Sequence, residues 1–133
     1  MKKITDFVGE YRFLSNFYPD GPGSIEHLFQ AFKCESLADA QRVLNAPTPG
    51  EAKKIGRTAK MRSDWEDNKV TLMYSLVRDK FKNHYLRSLL LETGDAELIE
   101  ENTWGDKLWG TCNGVGENLL GKILMRVRNE LRS

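Results

Sequence analysis

The sequence has little with which to bind a metal, form a disulfide framework or cross a membrane. It holds two cysteines, Cys34 and Cys112, and two histidines, His27 and His84, with no CxxC or HxxxH pattern among them. That excludes a disulfide scaffold and argues against structural zinc. No apolar run approaches the ~18 residues of a membrane span. The opening Met1-Lys2-Lys3-Ile4-Thr5-Asp6 lacks the apolar stretch of a signal peptide. A reducing cytoplasm is therefore the expected compartment. An excess of one charge is missing too: 20 Lys plus Arg stand against 19 Asp plus Glu, a net charge of +1. A non-specific nucleic-acid binder is expected to be clearly basic, whereas an enzyme that engages a few phosphates need not be.

What is present suits one α+β, mostly helical domain with a small sheet over residues 1–133, since 40% of residues are hydrophobic and 29% charged and well mixed. Residues 7–18 are aromatic and partly alternating, which predicts one or two short strands. Pro19-Asp20-Gly21-Pro22-Gly23 reads as a turn, after which Ser24 can cap a helix running to about Ser36. Thr48-Pro49-Gly50-Glu51 and Ser63-Asp64-Trp65-Glu66 are capping boxes. The second opens a long helix to about Lys82, with Trp65, Leu72, Met73, Leu76 and Val77 on one face. Leu120, Leu124, Val127 and Leu131 mark a final helix from about Glu117. Weaker helical patterns cover 38–45 and 84–92. Glycines 105, 110, 114, 116 and 121 shape a long loop between residues 102 and 121, and such loops inside compact domains are usually functional.

The first helix is the chemically pointed one. At ~100° per residue, Gln30 falls ~40° and Lys33 ~20° from Glu26, giving one polar stripe. Leu28, Phe29 and Phe32 fall beside it, which predicts a helix packed by its aromatic face with the stripe at the edge of the core. A carboxylate and an amine so placed are suited to acid/base and nucleophilic work; a solvated polar face satisfies the same pattern. In the loop, Trp104 can stack on a planar base. Asp106 can hold hydroxyls or water, and Asn118 lies beside helix N–H groups suited to phosphate. The alternative makes Trp104 and Trp109 core plugs and Asp106 a turn former. Lys53, Lys54, Arg57, Lys60 and Arg62 form either a phosphate clamp or a helix-end charge complement. Cys34 and Cys112 read as structural, and His27 as core or site.

Several of these residues also fall into longer motifs. Phe7-x-Gly9-x-Tyr11-x-Phe13-Leu14-Ser15-Asn16-Phe17-Tyr18, then Ser24-x-Glu26-His27-x-Phe29-Gln30-Ala31-x-Lys33, resembles the opening of the NADAR (YbiA-like) family. The likeness continues through Ala52-Lys53-x-x-Gly56-Arg57 and Asp64-Trp65. It closes on Trp104-Gly105-Asp106 and Gly114-x-Gly116-x-Asn118-x-Leu120-Gly121-x-x-Leu124-Met125-x-x-Arg128. The segment between Pro19 and Ser24 is shorter than in many members. The resemblance implies an α+β, mainly helical domain that cleaves N-glycosidic bonds of ribosylated compounds, with no cofactor or metal. The substrate it implies is ADP-ribose on guanine in nucleic acid or, alternatively, a phosphoribosylamino-pyrimidine of riboflavin synthesis. It implies Glu26 as acid/base, Lys33 as a Schiff-base nucleophile and Asp106 as a third catalytic residue. Asn16, Gln30, Arg57, Trp104, Gly105 and Asn118 become candidate substrate contacts. A non-catalytic ADP-ribose-binding module is the reading from another class; neither a membrane nor an obligate protein partner is expected.

Overall fold

The computed structural model describes residues 2–132, which divide into two compact units, residues 16–76 and residues 2–15 with 77–132. Among them no helix is long and apolar enough to cross a membrane. The secondary structure is mostly helical with two small strand pairs, as the composition and periodicity predict.

The unit of residues 16–76 is built from α1 (Ile25–Lys33), α2 (Leu37–Leu44), α3 (Pro49–Thr58) and α4 (Trp65–Lys80) up to Leu76. Side-chain oxygens cap three of the helix starts. Ser24 Oγ accepts from His27 N, Ser36 Oγ from Asp39 N, and Thr48 Oγ1 from Glu51 N. Each such cap stabilises a helix by ~1 kcal/mol. The helices meet over small residues, with Ala31, Cys34, Val43, Ala46 and Ala52 forming a buried cluster. Small side chains let backbones approach closely, and Gly56 takes this furthest, because a Cβ there would fall on Gln30 Oε1. Phe29 packs against Trp65 with ring centroids 4.8 Å apart.

α1 stops at Lys33 instead of reaching Ser36. Cys34 turns to extended backbone and forms an antiparallel bridge with Met61. Glu35 N donates to Lys60 O at 2.9 Å and Arg62 N to Lys33 O at 2.9 Å. A long-range backbone pairing thus competes with the last helical turn and wins.

The unit of residues 2–15 and 77–132 holds β1 (Lys3–Ile4) paired parallel to β2 (Glu97–Leu98), and β3 (Glu101–Asn102) paired parallel to β4 (Thr111–Cys112). Its helices are the end of α4, α5 (His84–Glu92), capped by Asn83, and α6 (Leu119–Leu131). The strands expected within residues 7–18 do not form. Residues Gly9–Leu14 make a 3-10 helix that buries Phe13 and Leu14. Gly9 takes φ +59° at its start, a left-handed turn that ends any extended run, and β2 pairs with β1 instead. Phe13 meets Phe81 edge-on at 6.4 Å. Leu120, Leu124 and Val127 of α6 are buried as their spacing predicts, and Arg128 Nη1 donates to Thr93 Oγ1 and Ala96 O, both at 2.9 Å.

Candidate active site

On α1 the burial pattern reverses half of what its polarity suggests. Glu26 is 7% exposed and Gln30 8%, while Phe32 is 46% exposed and Leu28 half-buried. The polar stripe faces inward and Phe32 faces out, so packing by the aromatic face holds only for Phe29. The reason lies on α3: Gly56 leaves room opposite Gln30, and the small-residue cluster allows close approach on the flank of Ala31.

His27 is fully buried beside that stripe and belongs to the core. Its Nε2 donates to Ala46 O at 2.8 Å, and its Nδ1 lies 2.7 Å from Ser24 Oγ. A carbonyl only accepts, so Nε2 carries a proton and the Ser24 hydroxyl is free to donate to Nδ1 in the neutral ring. With both nitrogens so engaged, His27 ties the start of α1 to the turn after α2.

Asn16, Glu26 and Gln30 form one hydrogen-bonded group. Glu26 N donates to Asn16 O at 3.1 Å, and Gln30 Nε2 donates to Glu26 Oε1 at 2.9 Å. Asn16 Nδ2 reaches only Met73 Sδ, at 3.5 Å. Among the described residues three buried side-chain polar atoms lack a hydrogen-bond partner: Asn16 Oδ1, Gln30 Oε1 and Arg128 Nε. Two of the three belong to this group, and both are acceptors. Buried polar atoms are nearly always satisfied, and leaving one unmade costs ~1–3 kcal/mol. A buried carboxylate in a hydrogen-bonded group that also holds two unpaired acceptors is suited to a ligand that brings O–H or N–H donors.

Lys33 follows two turns after Glu26, ~10.5 Å along the helix axis. It is half-buried, and its amine has no hydrogen-bond or ion-pair partner among the described residues. Arg57 is exposed and follows Gly56 on α3. The rest of the basic cluster divides: Lys60 pairs with Glu35 at 3.2 Å, Arg62 forms a two-pronged pair with Asp64, and Lys53 lies 5.9 Å from the Phe17 ring centroid. Cys34 is buried and donates to Gln30 O at 3.3 Å, with burial pushing its thiol pKa up. That is a core thiol and a poor nucleophile.

Trp104, Gly105, Asp106 and Asn118 belong to the other unit. Trp104 is 62% exposed, which overturns its reading as a core plug; Trp109 is half-buried. Asp106 Oδ1 accepts from Leu108 N and Trp109 N, both at 3.0 Å, so this carboxylate shapes a turn. The phosphate cradle expected at the start of α6 does not form. The N–H groups of Glu117, Asn118, Leu119 and Leu120 donate to the carbonyls of Lys107, Gly110, Leu108 and Trp109. Asn118 itself accepts from Glu100 N at 3.0 Å and donates to Leu98 O at 2.9 Å, bracing β2 and β3.

Two residues escaped the sequence reading. Asn102 is buried and grips both backbone groups of Asp106; its position four residues earlier in a glycine-rich loop is the one available signal. Lys80 donates to Ser15 O at 2.9 Å and lies 5.3 Å from the Phe81 ring centroid, and burial pushes its amine down to about 7. Nothing in its local sequence marks it.

The NADAR domain model matches residues 7–132, nearly the whole chain. The chain is 40% identical to N-glycosidase Npun_R5314 of Nostoc punctiforme, over 92% of this chain and 87% of that protein. The solved NMR structure of the Escherichia coli protein YbiA matches it with a TM-score of 0.85 and 31% identity, covering 99% of this chain and 87% of that one. It is also 40% identical, over 90% of its own length, to riboflavin biosynthesis protein VVA0006 of Vibrio vulnificus, of which it spans 35%.

Proposed function

The chain belongs to the NADAR family, and from that premise we propose that it is a cytoplasmic N-glycosidase that cleaves the bond between a phosphorylated ribose and a base. The observation that carries this reading is the buried Glu26–Gln30 pair, with unpaired acceptors at Gln30 Oε1 and Asn16 Oδ1. Ribose hydroxyls supply the donors those acceptors lack. A module that only binds has no need of an acid and an amine on the same helical stripe.

In the proposed reaction the Glu26 carboxyl gives its proton to the base nitrogen as the C1′–N bond breaks. The Lys33 amine forms a bond to C1′; the sugar ring opens, its oxygen takes up a proton from the amine nitrogen, and an imine links Lys33 to the sugar. Water then adds to C1′, the C1′–N bond to Lys33 breaks, and the phosphorylated ribose leaves. The sum is one water consumed and one base released, with Lys33 and Glu26 restored. Arg57, exposed on α3, offers its charge to phosphate, and the indole of Trp104 offers a face to a planar base. Asp106 acts through the shape of its loop.

ADP-ribose on guanine in nucleic acid is the substrate we favour, because the family resemblance points to it first. The riboflavin-synthesis names of relatives from Vibrio vulnificus and Zea mays favour a phosphoribosylamino-pyrimidine as the second reading. Parallel assays on an ADP-ribosylated guanine oligonucleotide and on the phosphoribosylamino-pyrimidine separate the two. Release of guanine-bearing oligonucleotide alone supports the first; turnover of the pyrimidine alone overturns it in favour of the second. Binding of ADP-ribose with no turnover of either overturns both. Borohydride added during turnover should trap a sugar on Lys33, and peptide mapping to Lys80 instead would contradict the assigned nucleophile.

A further inference from the structure

The loop that carries Trp104 is fixed at its base by one side chain. Asn102 is 4% exposed; its Oδ1 accepts from Asp106 N at 3.0 Å and its Nδ2 donates to Asp106 O at 2.8 Å. The side-chain amide thus imitates a neighbouring strand and closes residues 103–105 into a small loop. Asp106 extends the closure by accepting from Leu108 N and Trp109 N. Gly110 completes it, because a Cβ there would fall on Glu100 O and crowd Asn102 Nδ2. Trp104, exposed, lies in the chain between Asn102 and the Asp106 that it holds.

We propose that Asn102 is a positioning residue, which holds the backbone on both sides of Trp104 so that a planar base stacks on a loop already ordered. The proposal rests on the glycosidase reading above for the role of Trp104. Its physical basis is preorganisation: a loop ordered before binding does not lose conformational freedom on binding. Base stacking on an aromatic side chain contributes ~1–3 kcal/mol, so losing it should raise KM by roughly 5- to 150-fold. A residue that acts only by presenting Trp104 should change KM and leave kcat nearly intact.

The experiment is a double-mutant cycle on the active enzyme with Asn102→Ala, Trp104→Ala and both together, using ADP-ribosylated guanine oligonucleotide or the pyrimidine, whichever turns over. The expected result is a KM raised at least ~5-fold in each single variant, little change in kcat, and a double variant no worse than the poorer single one. Additive effects, an unchanged KM in either single variant, or a loss confined to kcat would overturn the assignment. Asn102→Asp keeps the acceptor for Asp106 N and loses the donor to Asp106 O, so an intermediate KM is expected even if the alanine variant folds poorly. Hydrogen exchange at the Asp106 amide needs no turnover and reports on the loop whether or not the glycosidase reading holds. Faster exchange there in Asn102→Ala or Asn102→Asp supports the brace, and unchanged exchange in both overturns it.

Discussion

The stripe on α1 and the glycine-rich loop before α6 are both dense in polar groups, yet they treat those groups in opposite ways. In the loop, Asn102, Asp106 and Asn118 each make two hydrogen bonds to backbone groups, and four N–H groups at the start of α6 find loop carbonyls. On α1, a buried carboxylate and amide pair with each other, and two neighbouring acceptors are left unmet. A satisfied network fixes a shape. An unsatisfied one carries a standing cost, which donors from a ligand would relieve. The two regions should therefore respond differently to substitution: the loop by losing order and stability, with KM affected only through the placing of Trp104, and α1 by losing turnover.

The largest expected effect is at Lys33. Lys33→Ala should cut base release at least ~10³-fold, because removing a covalent nucleophile leaves only binding and electrostatic terms. Its melting temperature should match wild type within a degree or two, since no hydrogen bond or ion pair of that amine is lost. Gly110→Ala comes next, on the opposite side of the contrast. The added methyl has to displace the Glu100 carbonyl, so destabilisation of ~1–3 kcal/mol or more is expected by urea unfolding.

Gln30→Met sharpens the difference most. It removes a buried acceptor that has no donor and, with it, the Nε2 donor to Glu26 Oε1, so the two terms oppose each other and stability should change by less than ~1 kcal/mol, while KM or kcat deteriorates. A parallel loss of stability would place Gln30 with the loop residues as purely structural. A pH effect belongs to the loop. The Thr111 hydroxyl and the Gly114 N–H hold the Glu101 carboxyl below its usual pKa. Its folded value is depressed, so its stabilisation is complete above the unfolded value near 4.5 and is lost as pH falls through the folded value. Melting temperatures followed down from pH 6 should fall less steeply in Glu101→Gln. The smallest effect is Phe32→Ser, within ~0.5 kcal/mol, because that ring faces out from α1.

Legibility followed the range of the interactions. The caps at Ser24 and Thr48 act over three residues and were readable where they stand. The stripe of α6 was readable from its period. The end of α1 was not, because it is set by pairing of residues 33–35 with 60–62. Nor was the 3-10 helix over Gly9–Leu14: aromatic alternation marks a strand only if a partner strand is at hand. At the candidate site, spacing put Glu26, Gln30 and Lys33 on one stripe, but it could not say whether the stripe faces inward. That was decided by Gly56, far along the chain on another helix. For Asp106 the turn-forming alternative described the geometry, and for Trp104 exposure removed the core reading.

On the proposed reading, the buried stripe of α1 does chemistry. The most direct test measures base release and thermal unfolding together on Glu26→Gln, which keeps the shape and the capacity to hydrogen-bond and removes the titrating proton. Turnover should fall ~10²–10⁴-fold, with a melting temperature at or above that of wild type. Turnover within a few-fold of wild type in that folded variant would contradict it.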